Sequence, residues 1–516
     1  MNPQAPRTGR YRALAGAVAG LAGVAVSHAL TNLFNARATP VQAVAEVVIE
    51  VTPGPAAEFL IGLVGRNDKA ILVGTITVVI LALGASAGLL SARSRLVANL
   101  VMLGMGGVAL LATMSRPGFT SAALLPLAAG VATWLVVLAL LVDRVPTVAS
   151  PMAEYVADPE NTTPPPSRRF LLIAGGVAAA SLAVGASGRF FGQTRRAVES
   201  SRRLLRLPVS KGVVPADAEV GLSGLTPWRV PNDEFYRIDT ALVLPAVDPN
   251  EWELRIHGMV DQEIRVTYDD LMAREVTEAW VTLCCVSNPV GGDLIGNAWW
   301  GGVRIADLLA EAGVSPDADA VKQTSADGWT CGTPIEALTD DRNAMLALSM
   351  NGEPLPVDHG FPVRMVVPGL YGYVSATKWV VDLEVTRYDD FAAFWTERGW
   401  SAMGPIKTHS RVEVPRNGGE VKAGQVRVGG QAWAQHTGID GVEVRLDGQS
   451  WSPAELGGVP GNDSWVQWVA TLDVGPGEHT LAVRATDKSG YTQTAAIADV
   501  VPDGATGWHT IDFTAS

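Results

Sequence analysis

The apolar residues of this chain are gathered before position 190, in stretches 13–31, 70–90, 96–114 and 121–142 that contain no Asp, Glu, Lys or Arg. Each is long enough to cross a hydrocarbon core as a helix, which takes about 20 apolar residues. Lipid offers the backbone no hydrogen-bonding partners, so a spanning segment must be a helix or part of a closed barrel. An all-α membrane bundle is therefore expected for the N-terminal third. A fifth stretch, 170–187, is shorter and rich in Ala and Gly. Segment 43–64 is apolar as well, but it holds Glu46, Glu50, Pro53, Pro55 and Glu58. Carboxylates at membrane depth are costly, which makes it an interfacial or re-entrant piece rather than a span.

With that segment left out, Arg7, Arg10, Arg12, Arg93, Arg95, Arg144, Arg168 and Arg169 fall on one side and Arg37, Arg66, Lys69 and Arg116 on the other. Positive charge marks the cytoplasmic side. The fifth helix then runs outward, so a multi-pass protein of the cell membrane is expected whose remainder faces the extracytoplasmic side. Ser167, Arg168, Arg169 and Phe170, followed by Leu171 and Leu172, resemble an internal twin-arginine export signal, the address of domains that cross already folded. Only His28 lies in these helices, whereas a transmembrane haem normally needs paired axial ligands, so no haem is expected in this chain.

Beyond the spans the pattern changes. A Pro-rich linker and the fifth helix occupy 146–190, and a basic stem with RRAVESSRRLLRL occupies 191–215. From 216 to 404, short alternating runs such as WELRIHGMV mix with helical pieces such as IADLLAEAG, the pattern of an α+β domain. From 405 to 516, runs such as GVEVRLDG and HTLAVRATD recur between Gly/Asp turns, the pattern of a β-sandwich. A formal charge of −13 argues against nucleic-acid binding, which needs a basic face. Three cysteines, Cys284, Cys285 and Cys331, are too few for a disulfide framework.

Two windows carry chemistry. VTLCCVSNPVGGDLIGNAWWGGVRIADLL begins at Val281, and a cysteine after a strand-like run can be either a thiolate metal ligand or a buried structural thiol. HGFPVRMVVPGLYGYVSATKW begins at His359 and groups His359, Arg364 and Lys378 around a strand and a Gly-rich turn. Arg364 stands within the apolar FPVRMVVP, where an unpaired charge is expensive, so a bound anion or an internal partner is expected there.

Together these windows resemble the sulfite oxidase family of molybdopterin-dependent oxidoreductases, in its membrane-anchored bacterial form. The likeness covers about residues 215–516 and rests on TLxCxxN, WxG, NGxPLPxxHGFPVRxVVPG and the closing KW, in family order. It implies a central molybdopterin domain over 216–404, a C-terminal immunoglobulin-like dimerisation domain over 405–516, and membrane helices over 1–145. It also implies molybdenum held by a pterin dithiolene, with Cys285 as the protein's ligand and catalytic centre. Tyr236, Arg237, Thr324, His359, Arg364, Ala376, Thr377 and Lys378 would surround the pterin and its phosphate. Because the family inserts this cofactor in the cytoplasm, folded export through the twin-arginine address follows.

The departures concern the substrate. Sulfite oxidases proper place arginines over the metal and a tyrosine beside it; this chain has Ile238, Trp299 and Trp329 at those positions. The expected reaction is oxygen-atom transfer to or from a small sulfur- or nitrogen-containing molecule, with single electrons passed to an external electron-transfer protein or membrane redox partner. A homodimer through the sandwich is a further implication. The alternatives are a sulfite oxidase or dehydrogenase proper, and a non-catalytic membrane-tethered binding protein with a vestigial cofactor site.

Overall fold

Small residues decide how the N-terminal helices meet. The computed structural model describes residues 5–34, 36–54, 56, 60, 67–116, 119–145, 168–191 and 193–516. Its first compact unit is Met1–Ala197 with Ala241–Pro245. The helices of that unit are α1 (Ala5–Leu33), α2 (Pro40–Val51), α3 (Asp68–Leu90), α4 (Arg95–Met114), α5 (Leu124–Val142) and α6 (Arg168–Phe191). α1 packs on α3, α5 and α6. A Cβ at Gly16 would sit 1.9 Å from the Gly84 carbonyl oxygen, and one at Gly88 1.9 Å from that of Arg12, so only glycine lets α1 and α3 touch backbone to backbone. Trp134 of α5 lies over Gly23 and donates its indole N–H to Gly20 O at 3.0 Å.

Among the described residues, five helical segments are long and apolar enough to cross a membrane: Gly9–Leu33, Asp68–Leu90, Arg95–Met114, Ser121–Val142 and Arg169–Ala186. They coincide with the five stretches read from the sequence. Their outward faces are apolar too, with Val78 64%, Leu111 71% and Leu172 73% exposed, a surface that water alone would not favour. α2 has 12 residues and starts at a capping box between Thr39 and Gln42; at 1.5 Å per residue it reaches about 18 Å, well short of a ~30 Å core. Most of the rest of segment 43–64 beyond Gly54, the Pro-rich linker over 146–167 and Ser167 of the export signal lie outside the described residues.

α7 (Gln193–Leu204) is the basic stem, with Glu199 paired to Arg202 at 2.8 Å and Arg203 at 3.0 Å. The second unit comprises Val198–Thr240 and Ala246–Ser516. Its central part contains β1 (Glu253–Gly258), β2 (Ile264–Thr267), α8 (Tyr268–Met272), β3 (Thr277–Cys284), β4 (Ile295–Arg304), α9 (Ile305–Ala312), β5 (Ala320–Ser325) and β6 (Thr330–Pro334). α10 (Glu336–Thr339), β7 (Met345–Met350), β8 (Glu353–Pro354), β9 (Arg364–Val366) and β10 (Val380–Thr386) complete it. One sheet runs β2-β1-β10-β5-β6, with β1 parallel to β10; the other runs β3-β4-β7-β8, with β9 also on β7. α9 buries Ile305, Leu308, Leu309 and Ala312, an i, i+3, i+4, i+7 stripe, and ends where Gly313 adopts φ 71°.

From His409–Val414 to His509–Ala515 the chain is strands and turns only. They form a four-stranded and a five-stranded sheet around Val428, Val444, Trp468, Leu481 and Phe513. This sheet-rich region is joined to the central part by a dry seam. Trp228 donates its indole N–H to Trp465 O at 3.1 Å, and Trp465 returns the bond to Trp228 O at 2.9 Å. Trp465 N–H donates to the Thr282 hydroxyl at 2.8 Å, and Thr282 N–H to Asp463 O at 2.9 Å.

Candidate functional site

β3 delivers the cysteine pair. Cys284, its last residue, is 1% exposed within the core, whereas Cys285 begins the following turn and is half-buried. Cys285 N–H donates to Leu294 O at 2.9 Å and its carbonyl accepts from Asn288 N–H at 3.1 Å, closing the turn. Asn288 Oδ1 in turn accepts from Leu294 N–H at 2.9 Å. Gly372 N–H donates to Cys284 O at 3.0 Å, which brings the Gly-rich loop against the cysteines. A Cβ at Gly372 would lie 3.7 Å from Cys284 O and 3.8 Å from the Tyr236 hydroxyl, so the tyrosine shares this corner.

Burial governs ionisation here. It pushes the Cys285 thiol up, against hydrogen bonds from the Ser287 N–H and hydroxyl, and pushes the Tyr236 hydroxyl well above its usual value, with the two cysteines adding to the shift. A thiol held protonated in this way is most readily deprotonated when a cation takes the proton's place. A soft, strongly bound metal suits that donor.

The cationic group is assembled from three segments. Arg364 at the start of β9 is 4% exposed and, among the described residues, donates only to main-chain carbonyls, His359 O at 3.1 Å and Ala376 O at 3.4 Å. Its Nε is buried without a hydrogen-bond partner. Burial lowers its guanidinium to about 10. Lys378, paired with Arg364 in an isolated bridge, donates to Asp358 O at 3.0 Å and to Asp239 Oδ2 at 3.3 Å. Desolvation brings this ammonium down to about 8, with the Asp239 carboxylate opposing the shift. Arg237 Nε donates to the same Asp239 Oδ2 at 3.1 Å and its guanidinium lies 3.8 Å from Asp358. His359 holds Asn232 O at 3.0 Å through Nε2, and burial, with Lys378 and Arg364 adding, lowers its imidazole to about 4. Phe235 stacks on Tyr236 and meets His359 and Trp300 edge-on, linking the tyrosine corner to the cations.

Of the residues expected from the sequence, Tyr236, Arg237, His359, Arg364, Ala376 and Lys378 thus stand in one contact network with the cysteine turn. Thr377 is fully buried, with Oγ1 3.2 Å from Cys331 Sγ, which ties the loop to β6. Thr324 lies on β5 between Thr330 and Asp382. Trp329 is in the β5–β6 turn, its carbonyl accepting from Ser325 N–H at 2.9 Å, and Ile238 is 48% exposed.

Trp299 is placed differently. Side chains alternate along a strand, so Trp299 and Trp300 point to opposite faces of β4. Trp300 faces Arg364, whereas Trp299 packs on Trp280 and under Gly212, with its indole N–H bound by Glu278 at 2.9 Å. Asp239, Asp358, Phe235 and Glu278 were not legible as site residues; each acquires its role from a partner distant in sequence.

Residues 241–395 match the family model described as "Oxidoreductase molybdopterin binding domain". An uncharacterized oxidoreductase of Bacillus subtilis, YuiH, is 30% identical over 42% of this chain and 94% of its own length. The mitochondrial sulfite oxidase of Drosophila melanogaster is 28% identical over 54% of this chain and 56% of its own length. The chain spans only a little over half the length of most of the sulfite oxidases it matches. Among solved structures, the sulfane dehydrogenase SoxCD of Paracoccus pantotrophus matches at 25% identity, with a TM-score of 0.46, over 58% of this chain and 83% of its own.

Proposed function

Because the chain belongs to the sulfite oxidase family of molybdopterin-binding oxidoreductases, we propose that it is a membrane-anchored, extracytoplasmic enzyme of oxygen-atom transfer. Its substrate is a small sulfur- or nitrogen-containing molecule, and single electrons pass to an external partner. The observation that carries this reading is Arg364: a buried guanidinium that no carboxylate neutralises among the described residues, with one N–H unused. A buried charge of that kind calls for an anion, and the phosphate tail of a molybdopterin supplies one.

When bound, the molybdenum–pterin group supplies a two-electron centre for exchanging an oxygen atom with the substrate. The rest falls to the chain. Cys285 offers the thiolate at the end of a strand fixed on both sides. Tyr236 and Gly372 wall that corner, the tyrosine as a neutral hydroxyl that can hydrogen-bond without adding charge. Arg364 and Lys378 hold the phosphate, with His359 beside them as a neutral imidazole at ordinary pH. The five apolar helices form the anchor, delivered through Arg168 and Arg169. Residues 216–404 act as the cofactor domain, and 405–516 as an immunoglobulin-like sandwich that pairs two copies.

Molybdenum analysis of the wild type and Cys285→Ser tests this. The serine variant is expected to lose turnover and most of its metal; equal molybdenum with equal activity in the two proteins would remove Cys285 from the role.

A further inference from the structure

The cations around Arg364 do not stand alone. Arg237 and Lys378 face two carboxylates, those of Asp239 and Asp358, while the Arg364 guanidinium donates to the carbonyls of His359 and Ala376. Of the two acids, Asp239 is the buried one: its side chain is 6% exposed, against 41% for Asp358. One oxygen, Asp239 Oδ2, receives both Arg237 Nε at 3.1 Å and Lys378 Nζ at 3.3 Å. Lys378 is itself only 10% exposed, and its other described hydrogen bond is to a main-chain carbonyl, Asp358 O. The segment before β1 thereby reaches the turn after the Gly-rich loop through a single carboxylate.

We propose that Asp239 is a positioning residue of the anion site: it holds Lys378 as an aimed cation, and so sets how tightly the phosphate group of the cofactor is retained. This rests on the assignment of Arg364 and Lys378 to that phosphate, and it adds a residue that would itself make no contact with the anion. The groups facing the Lys378 ammonium are Asp239 and Arg237 from the segment before β1, Asp358 and His359 from the turn at 357–359, and Arg364 from β9. Arg237, Arg364 and burial all disfavour its charge; Asp239 is the largest opposing influence, and with it the ammonium titrates at about 8. Without Asp239 the Lys378 ammonium loses the largest influence that favours its charge, and it donates more weakly to an oxyanion near neutral pH.

The test uses the full chain in its cofactor-free form and inorganic sulfate, a dianion at both pH values, as the probe, measured by calorimetry at pH 7.5 and 5.5. Asp239→Asn is expected to bind sulfate about tenfold more weakly than wild type at pH 7.5, since each pKa unit is a tenfold change in the protonated fraction. At pH 5.5, where higher proton activity favours the charged ammonium, the deficit should vanish and binding should equal the wild type or exceed it. Adding Lys378→Arg, a cation at any pH, should restore binding at pH 7.5. Equal binding of Asp239→Asn and wild type at pH 7.5 overturns the proposal. So does a loss at both pH values that Lys378→Arg leaves uncorrected, which is the mark of a merely structural residue. Molybdenum retained after dialysis separates the two readings. A wild type that holds none while the sulfate pattern stands sinks the cofactor assignment and keeps Asp239; equal retention by a molybdenum-loaded wild type and Asp239→Asn sinks Asp239.

Discussion

The guanidinium carbon of Arg364 lies 5.0 Å from the ring centroid of Trp300, so the buried cation is stacked from one side while its N–H groups reach the carbonyls of His359 and Ala376. A lysine keeps the charge but neither stacks in this way nor bonds two carbonyls at once. Arg364→Lys should therefore fold yet hold about tenfold less molybdenum, measured per chain after purification. Undiminished metal content would show that the charge alone suffices.

At the seam, the Thr282 hydroxyl accepts from Trp465 N–H at 2.8 Å and donates to Asn297 Oδ1 at 3.0 Å. Thr282→Val keeps the shape and strands both partners in a dry interior. A loss of about 1–3 kcal/mol is expected in denaturant unfolding. A loss near zero would mean that water reaches the seam.

Acid should weaken the fold through two imidazoles. Burial lowers both His359 and His409 to about 4. As pH falls below the ordinary histidine value near 6.5, the unfolded chain takes up protons that the folded chain refuses. The stabilising effect of each neutral imidazole is thus full above pH 6.5, is lost between 6.5 and 4, and amounts to roughly 3 kcal/mol per site. Melting temperatures of the full chain in detergent should drop across that window, and His359→Gln and His409→Gln should each flatten the drop. A slope untouched by both changes would contradict this.

In the helical unit, Gly16→Leu must force α1 off α3, since its Cβ would sit 1.9 Å from Gly84 O, whereas a Cβ at Gly104 meets nothing within 4 Å. Gly16→Leu should cost about 2–3 kcal/mol or more, seen as a lower melting temperature and a loss of monodisperse protein. Gly104→Leu should leave both unchanged. Equal behaviour of the two variants would remove the close helix contact from the account.

What the sequence discloses follows from the range of the forces involved. Span 70–90 becomes α3, Asp68–Leu90, because an uninterrupted apolar run admits one solution. IADLLAEAG becomes α9 because its stripe and terminal glycine are local signals. Cys285 and Arg364 stand out because a cysteine pair and a charge within FPVRMVVP are locally anomalous. Asp239 has no such anomaly: an acid two residues after Arg237 looks like half of a local ion pair until folding sets Lys378, 139 positions away, beside it. Trp299 illustrates a signal that was present, since its adjacency to Trp300 in one strand already requires the two indoles to part. Which of them would meet Arg364 depended on the order of strands, which only the whole sheet decides.

β3 is an edge strand of its sheet, and an open edge invites pairing with foreign chains. Here that edge is stitched shut at Thr282: its N–H goes to Asp463 O at 2.9 Å and its carbonyl receives Gln435 Nε2 at 3.0 Å. Two residues further on is Cys284, and then the candidate ligand itself. The C-terminal sheets are thus part of the mould in which the cysteine turn is cast, rather than a detachable accessory. Swapping them between relatives would require residues 435 and 463–465 to travel with the strand they close. A chain cut at the compositional boundary near residue 405 would expose a sticky edge next to its own candidate metal ligand.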